Sequence, residues 1–92
     1  TTETPSTFSL SQNYPNPFNP VTKISFQLPV VSNVVLKVYD VMGKEVAMLV
    51  NDRLQAGTYE VKFNGSMLNS GVYFYRLTTE GFSETKRMLM IK

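Results

Sequence analysis

Apolar and polar residues alternate with period two along most of the chain. Thr22-Lys23-Ile24-Ser25-Phe26-Gln27-Leu28 is the cleanest case, with Ile24, Phe26 and Leu28 on one face and Lys23, Ser25 and Gln27 on the other. Such alternation predicts a half-buried strand. Phe8-Ser9-Leu10-Ser11 predicts a short strand before it. Val34, Leu36 and Val38 share the predicted core face of the next strand, and Tyr59, Val61 and Phe63 that of Thr58 to Phe63. In Val72 to Leu77 the inward row is Tyr73, Tyr75 and Leu77, because the other phase would bury Arg76. Glu45 to Val50 reads as a strand from its β-branched content, although Val46, Leu49 and Val50 also fit helical spacing over 45–55. Ser83 to Ile91 is the last strand. Its phase stays open, because Met88-Leu89-Met90-Ile91 is apolar on both faces.

Turn signals separate these runs: Ser32-Asn33, then Asp40 to Lys44 with Gly43 as the residue suited to positive φ, a polar connection from Asn51 to Gly57, Asn64-Gly65, and Thr79-Glu80-Gly81. Gly71 caps the crossover Ser66 to Ser70. Some seven short strands with a turn every ten or so residues predict an all-β fold, a two-sheet antiparallel β-sandwich. The chain has 92 residues, room for one domain. Residues 1–7 have the Thr/Ser/Pro composition of a linker, leaving 8–92 for the sandwich.

One stretch departs from the rhythm. Asn13-Tyr14-Pro15-Asn16-Pro17-Phe18-Asn19-Pro20 holds three prolines and three asparagines in eight residues. Proline fixes φ and lacks an N–H, so the stretch is expected to be neither helix nor paired strand. The asparagines are expected to cap backbone groups. Tyr14 and Phe18 are its apolar anchors and are expected to plug one end of the sandwich. Composition alone equally fits a stiff linker.

Composition removes most chemistry. The chain has no histidine and no cysteine. The commonest general base, the commonest transition-metal ligand and any disulfide framework are therefore missing. The net charge of +2 is too small to argue for nucleic acid, and no apolar run approaches the ~20 residues of a membrane span. Serines such as Ser25 and Ser70 lack an imidazole to act as their base. The carboxylates Asp40, Asp52, Glu45, Glu60 and Glu84 read as solvated turn and strand positions rather than an acid/base pair. Asn51-Asp52 is too sparse for calcium. Asn64-Gly65-Ser66 fits a glycosylation sequon but reads as a turn. Only Tyr39 and Phe74 are candidates for exposed rings that would stack on sugar. No cofactor is expected, and the chain is not expected to be an enzyme. It starts at Thr1 and shows no signal peptide, so it is expected to be a piece of a longer protein.

The C-terminal run Lys86-Arg87-Met88-Leu89-Met90-Ile91-Lys92 places basic residues on both sides of a four-residue apolar segment. It reads either as a final strand with charged gatekeepers against aggregation or as a segment presented to a receptor, by strand addition among other means.

Four blocks carry a resemblance. They are Leu10 to Pro20, Val38-Tyr39-Asp40-Val41-Met42-Gly43-Lys44-Glu45-Val46, Ser70-Gly71-Val72-Tyr73-Phe74-Tyr75-Arg76-Leu77, and Lys86 to Lys92. In this order and spacing they resemble the type A C-terminal sorting domain of the type IX secretion system, over residues 10–92. The pattern is also similar to the immunoglobulin-like domain of flagellar hook-capping proteins. The resemblance implies a seven-stranded immunoglobulin-like sandwich without catalytic residues. It implies a signal that directs a covalently linked upstream cargo through the periplasm and across the bacterial outer membrane by a dedicated translocon. In many members a sortase-like cysteine protease then removes the domain and the cargo stays at the cell surface. By position, Tyr14, Pro15, Asn16, Pro17 and Phe18 match the opening motif, Gly43 and Glu45 the central turn, and Gly71 and Tyr73 the start of the aromatic strand. Met88, Leu89, Met90, Ile91 and Lys92 match the terminal segment read by the machinery, and Lys86 and Arg87 just before it are further sorting candidates. The alternative reading is an accessory carbohydrate-binding or structural immunoglobulin-like module of an extracellular enzyme.

Overall fold

A computed structural model describes residues 5–92. Seven strands follow one another: β1 (Ser9–Leu10), β2 (Val21–Leu28), β3 (Ser32–Tyr39), β4 (Glu45–Leu54), β5 (Gly57–Asn64), β6 (Gly71–Thr78) and β7 (Ser83–Met90). They form a three-stranded sheet in the order β1-β2-β5 and a four-stranded sheet in the order β4-β3-β6-β7. All pairings between strands are antiparallel. The β2–β3, β4–β5 and β5–β6 connections cross between the sheets, which gives the two-sheet sandwich that the strand rhythm predicts, in the immunoglobulin-like form that the resemblance implies. Of the predicted linker 1–7, residues 1–4 lie outside the described residues, and Pro5 to Thr7 belong to no strand.

The inward rows pack face to face. Leu10, Ile24, Phe26 and Leu28 from one sheet meet Val34, Leu36, Val38, Tyr73, Tyr75 and Leu77 from the other, all buried. Fully burying a side chain of this size stabilises the fold by roughly 1.5–3 kcal/mol. The pairing of β7 with β6 settles the open phase: Tyr73 stands opposite Met88 and Gly71 opposite Met90, so both methionines point inward and are buried. Tyr73 itself is fixed by a bond from its hydroxyl to the Asn69 carbonyl, 2.7 Å, tying the start of β6 to the crossover before it.

Two local expectations are corrected, and one ambiguity is explained. The polar run Asn51-Asp52-Arg53 is not a connection. β4 continues to Leu54, with Asn51, Asp52 and Arg53 opposite Val35, Val34 and Asn33. As an edge strand it tolerates polar residues facing solvent. Ser32-Asn33 is not a turn either: β3 begins at Ser32, which is buried and donates its hydroxyl to the Val30 carbonyl at 3.0 Å. Finally, the pairing of β3 with β4 shifts register between Leu36 and Lys37 and again between Val38 and Tyr39. These bulges insert extra residues into β4. They let Val46, Ala47, Leu49 and Val50 all pack on the core, which is the physical origin of the helix-like spacing in this strand.

Candidate functional site

The Pro/Asn stretch between β1 and β2 is ordered by its own polar groups. Asn13 is buried, and its side-chain amide donates to the Pro15 carbonyl (3.1 Å) and to Thr22 Oγ1 (3.0 Å). Thr22, buried at the start of β2, donates its hydroxyl to the same carbonyl at 2.8 Å. The Asn13 N–H donates to the Tyr75 hydroxyl (2.8 Å), which in turn donates to the Ser11 carbonyl (2.7 Å). Tyr75 therefore closes a buried polar network from the four-stranded sheet. Burial pushes its phenol up to about 12. Among the described residues no buried side-chain nitrogen or oxygen lacks a partner. The peptide bonds before Pro15, Pro17 and Pro20 are cis.

The same stretch grips the last strand. Phe18 is paired with Met90 in a parallel bridge: the Phe18 N–H donates to the Leu89 carbonyl (3.0 Å) and the Ile91 N–H to the Phe18 carbonyl (2.9 Å). The Leu89 N–H donates to Asn16 Oδ1 (3.0 Å), and the Gln12 side-chain amide donates to the Arg87 carbonyl (2.7 Å). On the other side Tyr14 and Lys23 exchange both backbone hydrogen bonds, at 3.0 and 2.9 Å. The stretch is neither helix nor strand, as expected, yet its two isolated bridges make it a clasp joining β2 of one sheet to β7 of the other. The prolines do not prevent this, because the N–H groups that bond belong to Tyr14 and Phe18.

Of the two expected plugs, only Phe18 is one. It is buried, with its ring edge-to-face on Phe63 at 6.1 Å. Tyr14 is 80% exposed. Its backbone, not its ring, does the anchoring. Pro15, Asn16 and Pro17 are exposed at the rim.

Gly43 has φ 82 in the turn after β3, where Asp40 Oδ1 accepts the N–H groups of Met42 (2.9 Å) and Lys44 (3.0 Å). Gly71 opens β6 with φ 149. Neither touches the clasp. Gly65 does, and sequence reading did not single it out. A methyl group there would stand 2.6 Å from the Met90 sulfur, so a larger residue would make the buried Met90 side chain shift where the β5–β6 crossover closes over the end of β7.

The terminal segment is divided by its strand geometry. Met88 and Met90 are core residues, whereas Arg87, Leu89, Ile91 and Lys92 are exposed. Lys86 is half-buried on the inward row and pairs with Glu84 at 3.2 Å. The Lys92 N–H is held by Ser70 Oγ at 2.9 Å.

Among the described residues no three His, Cys, Asp or Glu side chains gather to hold a metal, and no helix is long and apolar enough to cross a membrane. Residues 12–92 match the model of the family described as the secretion system C-terminal sorting domain. The chain belongs to this family. No curated protein matches the chain. As a sorting domain of the type IX secretion system it is a non-catalytic secretion signal, and it belongs with proteins that are secreted or held at the cell surface. The matched region contains both halves of the clasp.

Gln12, Asn13, Thr22, Gly65 and Tyr75 are the residues of this site that sequence reading left out. One signal was present. A tyrosine placed inward by alternation needs a partner for its hydroxyl, and the nearest irregular, amide-rich stretch is the natural place to look for it.

Proposed function

We propose that this sorting domain is a folded export tag for a covalently linked upstream cargo protein, read by the type IX translocon at the clasp and the strand it holds. The observation that supports this reading is the set of bonds between Gln12, Asn16 and Phe18 and residues Arg87 to Ile91. They make the opening motif and the terminal motif one unit and hold the terminal segment extended. In that unit Met88 and Met90 seat the strand, while Arg87, Leu89, Ile91 and Lys92 are the recognition contacts. Strand addition to the end of β7 is disfavoured, because the clasp already takes up the outer-edge groups of Leu89 and Ile91. Residues 8–92 are the signal. Residues 1–7 give the tag reach and supply the cutting region for a sortase-like protease, after a transient passage through the periplasm.

The test is a secreted reporter fused to residues 8–92 in a bacterium with a type IX system. Deletion of Arg87–Lys92 is expected to abolish export. Because that deletion also removes Met88 and Met90 from the core, a Leu89→Ser/Ile91→Ser variant is made alongside and its melting followed. Loss of export with folding retained supports the reading. Export that survives the deletion overturns it.

A further inference from the structure

The two sheets turn different faces to solvent. The outer row of the three-stranded sheet is Lys23, Ser25 and Gln27 on β2 beside Lys62, Glu60 and Thr58 on β5. It is polar throughout. On the four-stranded sheet the register sets Val72 beside Leu89, Phe74 between Tyr39 and Arg87, and Arg76 between Lys37 and Thr85. Val72, Phe74 and Tyr39 are only half-buried there, and Leu89 is exposed. This apolar stripe is flanked by two hollows. One, of about 420 Å³, is lined by Asn16, Pro17, Val72, Arg87 and Leu89. The other, of about 330 Å³, is lined by Tyr39, Val41, Phe74, Arg76 and Thr85. They adjoin where Phe74 and Arg87 stand opposite each other.

The charges on this face are not balanced within the domain. Lys37 is paired with Glu45 at 3.0 Å. Arg76 donates from Nε to Ser83 Oγ (3.0 Å), but among the described residues neither Arg76 nor Arg87 has a carboxylate within 4 Å. Asp40, beside the second hollow, is engaged by the N–H groups of its own turn. A half-desolvated apolar stripe with an unpaired guanidinium at each hollow calls for an anionic partner that also has apolar side chains. Arginine suits this task because its planar fork meets a carboxylate with two parallel bonds.

We propose that the outer face of β6 and β7 is the docking surface for an extended acidic segment of a protein partner. Arg76 and Arg87 are diagonal neighbours across the two strands, about 7–8 Å apart. Alternate residues of an extended chain are spaced roughly 6.5–7 Å apart, so two carboxylates at alternate positions reach both guanidiniums. Flanking apolar side chains then cover Val72 and Leu89 at one hollow and Tyr39 and Phe74 at the other. The proposal rests on the reading of the terminal segment as the recognised one and names the chemistry of what reads it. Phe74 and Arg76 belong to this surface alone.

The experiment uses the whole chain and a short peptide in which glutamates alternate with serines between a terminal phenylalanine and leucine. Controls are the same peptide with glutamines and anionic phosphatidylglycerol vesicles. Binding is followed by fluorescence anisotropy and by amide chemical shifts. The glutamate peptide is expected to shift the amides of Val72, Phe74, Arg76, Thr85 and Arg87 and to weaken with salt. It is expected to lose about tenfold or more in affinity in Arg76→Glu and in Arg87→Glu. Lys62→Glu, the same charge change on the polar face, leaves binding as it is. Melting curves establish that each variant is folded. No saturable binding at millimolar peptide, equal binding of the glutamine peptide, shifts on the other face, indifference to Arg76→Glu, or binding to vesicles in place of the peptide would each overturn the proposal. Reporter export is scored separately. Export without dependence on Arg87–Lys92 sinks the reading of the tag, while lost peptide specificity sinks only this surface.

Discussion

The sandwich has two long sides, and they are finished differently. On the β1/β7 side, β1 contributes only two residues, and the clasp takes over. It bonds to Lys23 of β2 and to Leu89 and Ile91 at the end of the chain, and it drops Phe18 into the core. On the β4/β5 side no such wall exists. Phe26, Leu49, Val50, Leu54, Tyr59 and Val61 line a hollow of about 370 Å³ between the two sheet edges, with Tyr59 stacked on Phe26 at 5.4 Å. There the edges are protected by other means: polar and charged residues from Asn51 to Arg53 on β4 and at Thr58, Glu60 and Lys62 on β5, and bulges along β4. The comparison shows where immobility was built. The strand that carries the terminal motif is held from both edges, and β4 and β5 are each left with one open edge.

Replacing Phe18 tests this most severely. Phe18→Ala removes a buried ring from the closed side and is expected to cost about 3–5 kcal/mol, read as a lower urea midpoint, with faster exchange of the Ile91 amide. Tyr75→Phe comes next. It leaves the Asn13 N–H and the Ser11 carbonyl without their partner and is expected to cost about 1–3 kcal/mol, measured the same way. The same hydroxyl gives the closed side a pH signature. Unfolded, its phenol loses its proton near the ordinary 10; folded, it holds it to about 12. The folded state thus binds more protons in between. Its contribution is whole below pH 10 and declines as pH rises from 10 to 12, by on the order of 1–2 kcal/mol. That is less than the full linkage, because the hydroxyl's bond to the Ser11 carbonyl is only partly buried. Urea unfolding across that range should show a shallower decline in Tyr75→Phe. On the open side, Leu49→Ala removes a half-buried side chain and is expected to cost about 1 kcal/mol. A loss equal to that of Phe18→Ala would erase the distinction between the sides. The smallest effect is expected for Asn16→Ala, which is exposed at the rim. Stability changes by about 0.5–1 kcal/mol, but hydrogen exchange at the Leu89 amide quickens because its acceptor is gone.

Much of this was legible in the sequence. Period-two alternation placed Ile24, Phe26, Leu28, Val34, Leu36, Val38, Tyr73, Tyr75 and Leu77 inward, as found, because a strand with one buried face has no other phase available. The four blocks identified the family. What escaped depended on contacts between distant parts of the chain. The phase of β7 follows from its register with β6, and four consecutive apolar residues carry no record of it. The bulges in β4 imitate a helical period. The parallel bridge between Phe18 and Met90 joins opposite ends of the domain, and no local pattern announces it. Tyr14 went astray because an aromatic residue in a loop was assumed to serve through its ring, whereas here the backbone carries the bond.

The brevity of β1 acquires a meaning once the domain is regarded as something that is pulled. A load arriving from the N-terminal side meets first the stack of Phe8 on Phe82, 5.3 Å between ring centres, and then the two residue pairs of β1 with β2, the buried Leu10 and the bonds of Ser11 to Ser25 and Tyr75. These few contacts can peel away one at a time. The next obstacle is the clasp, where Asn13, Phe18 and the strand ends are bound together and must yield jointly. Tension would thus strip a short leader and stop, leaving the rest of the sandwich, and the strand at its far end, in place.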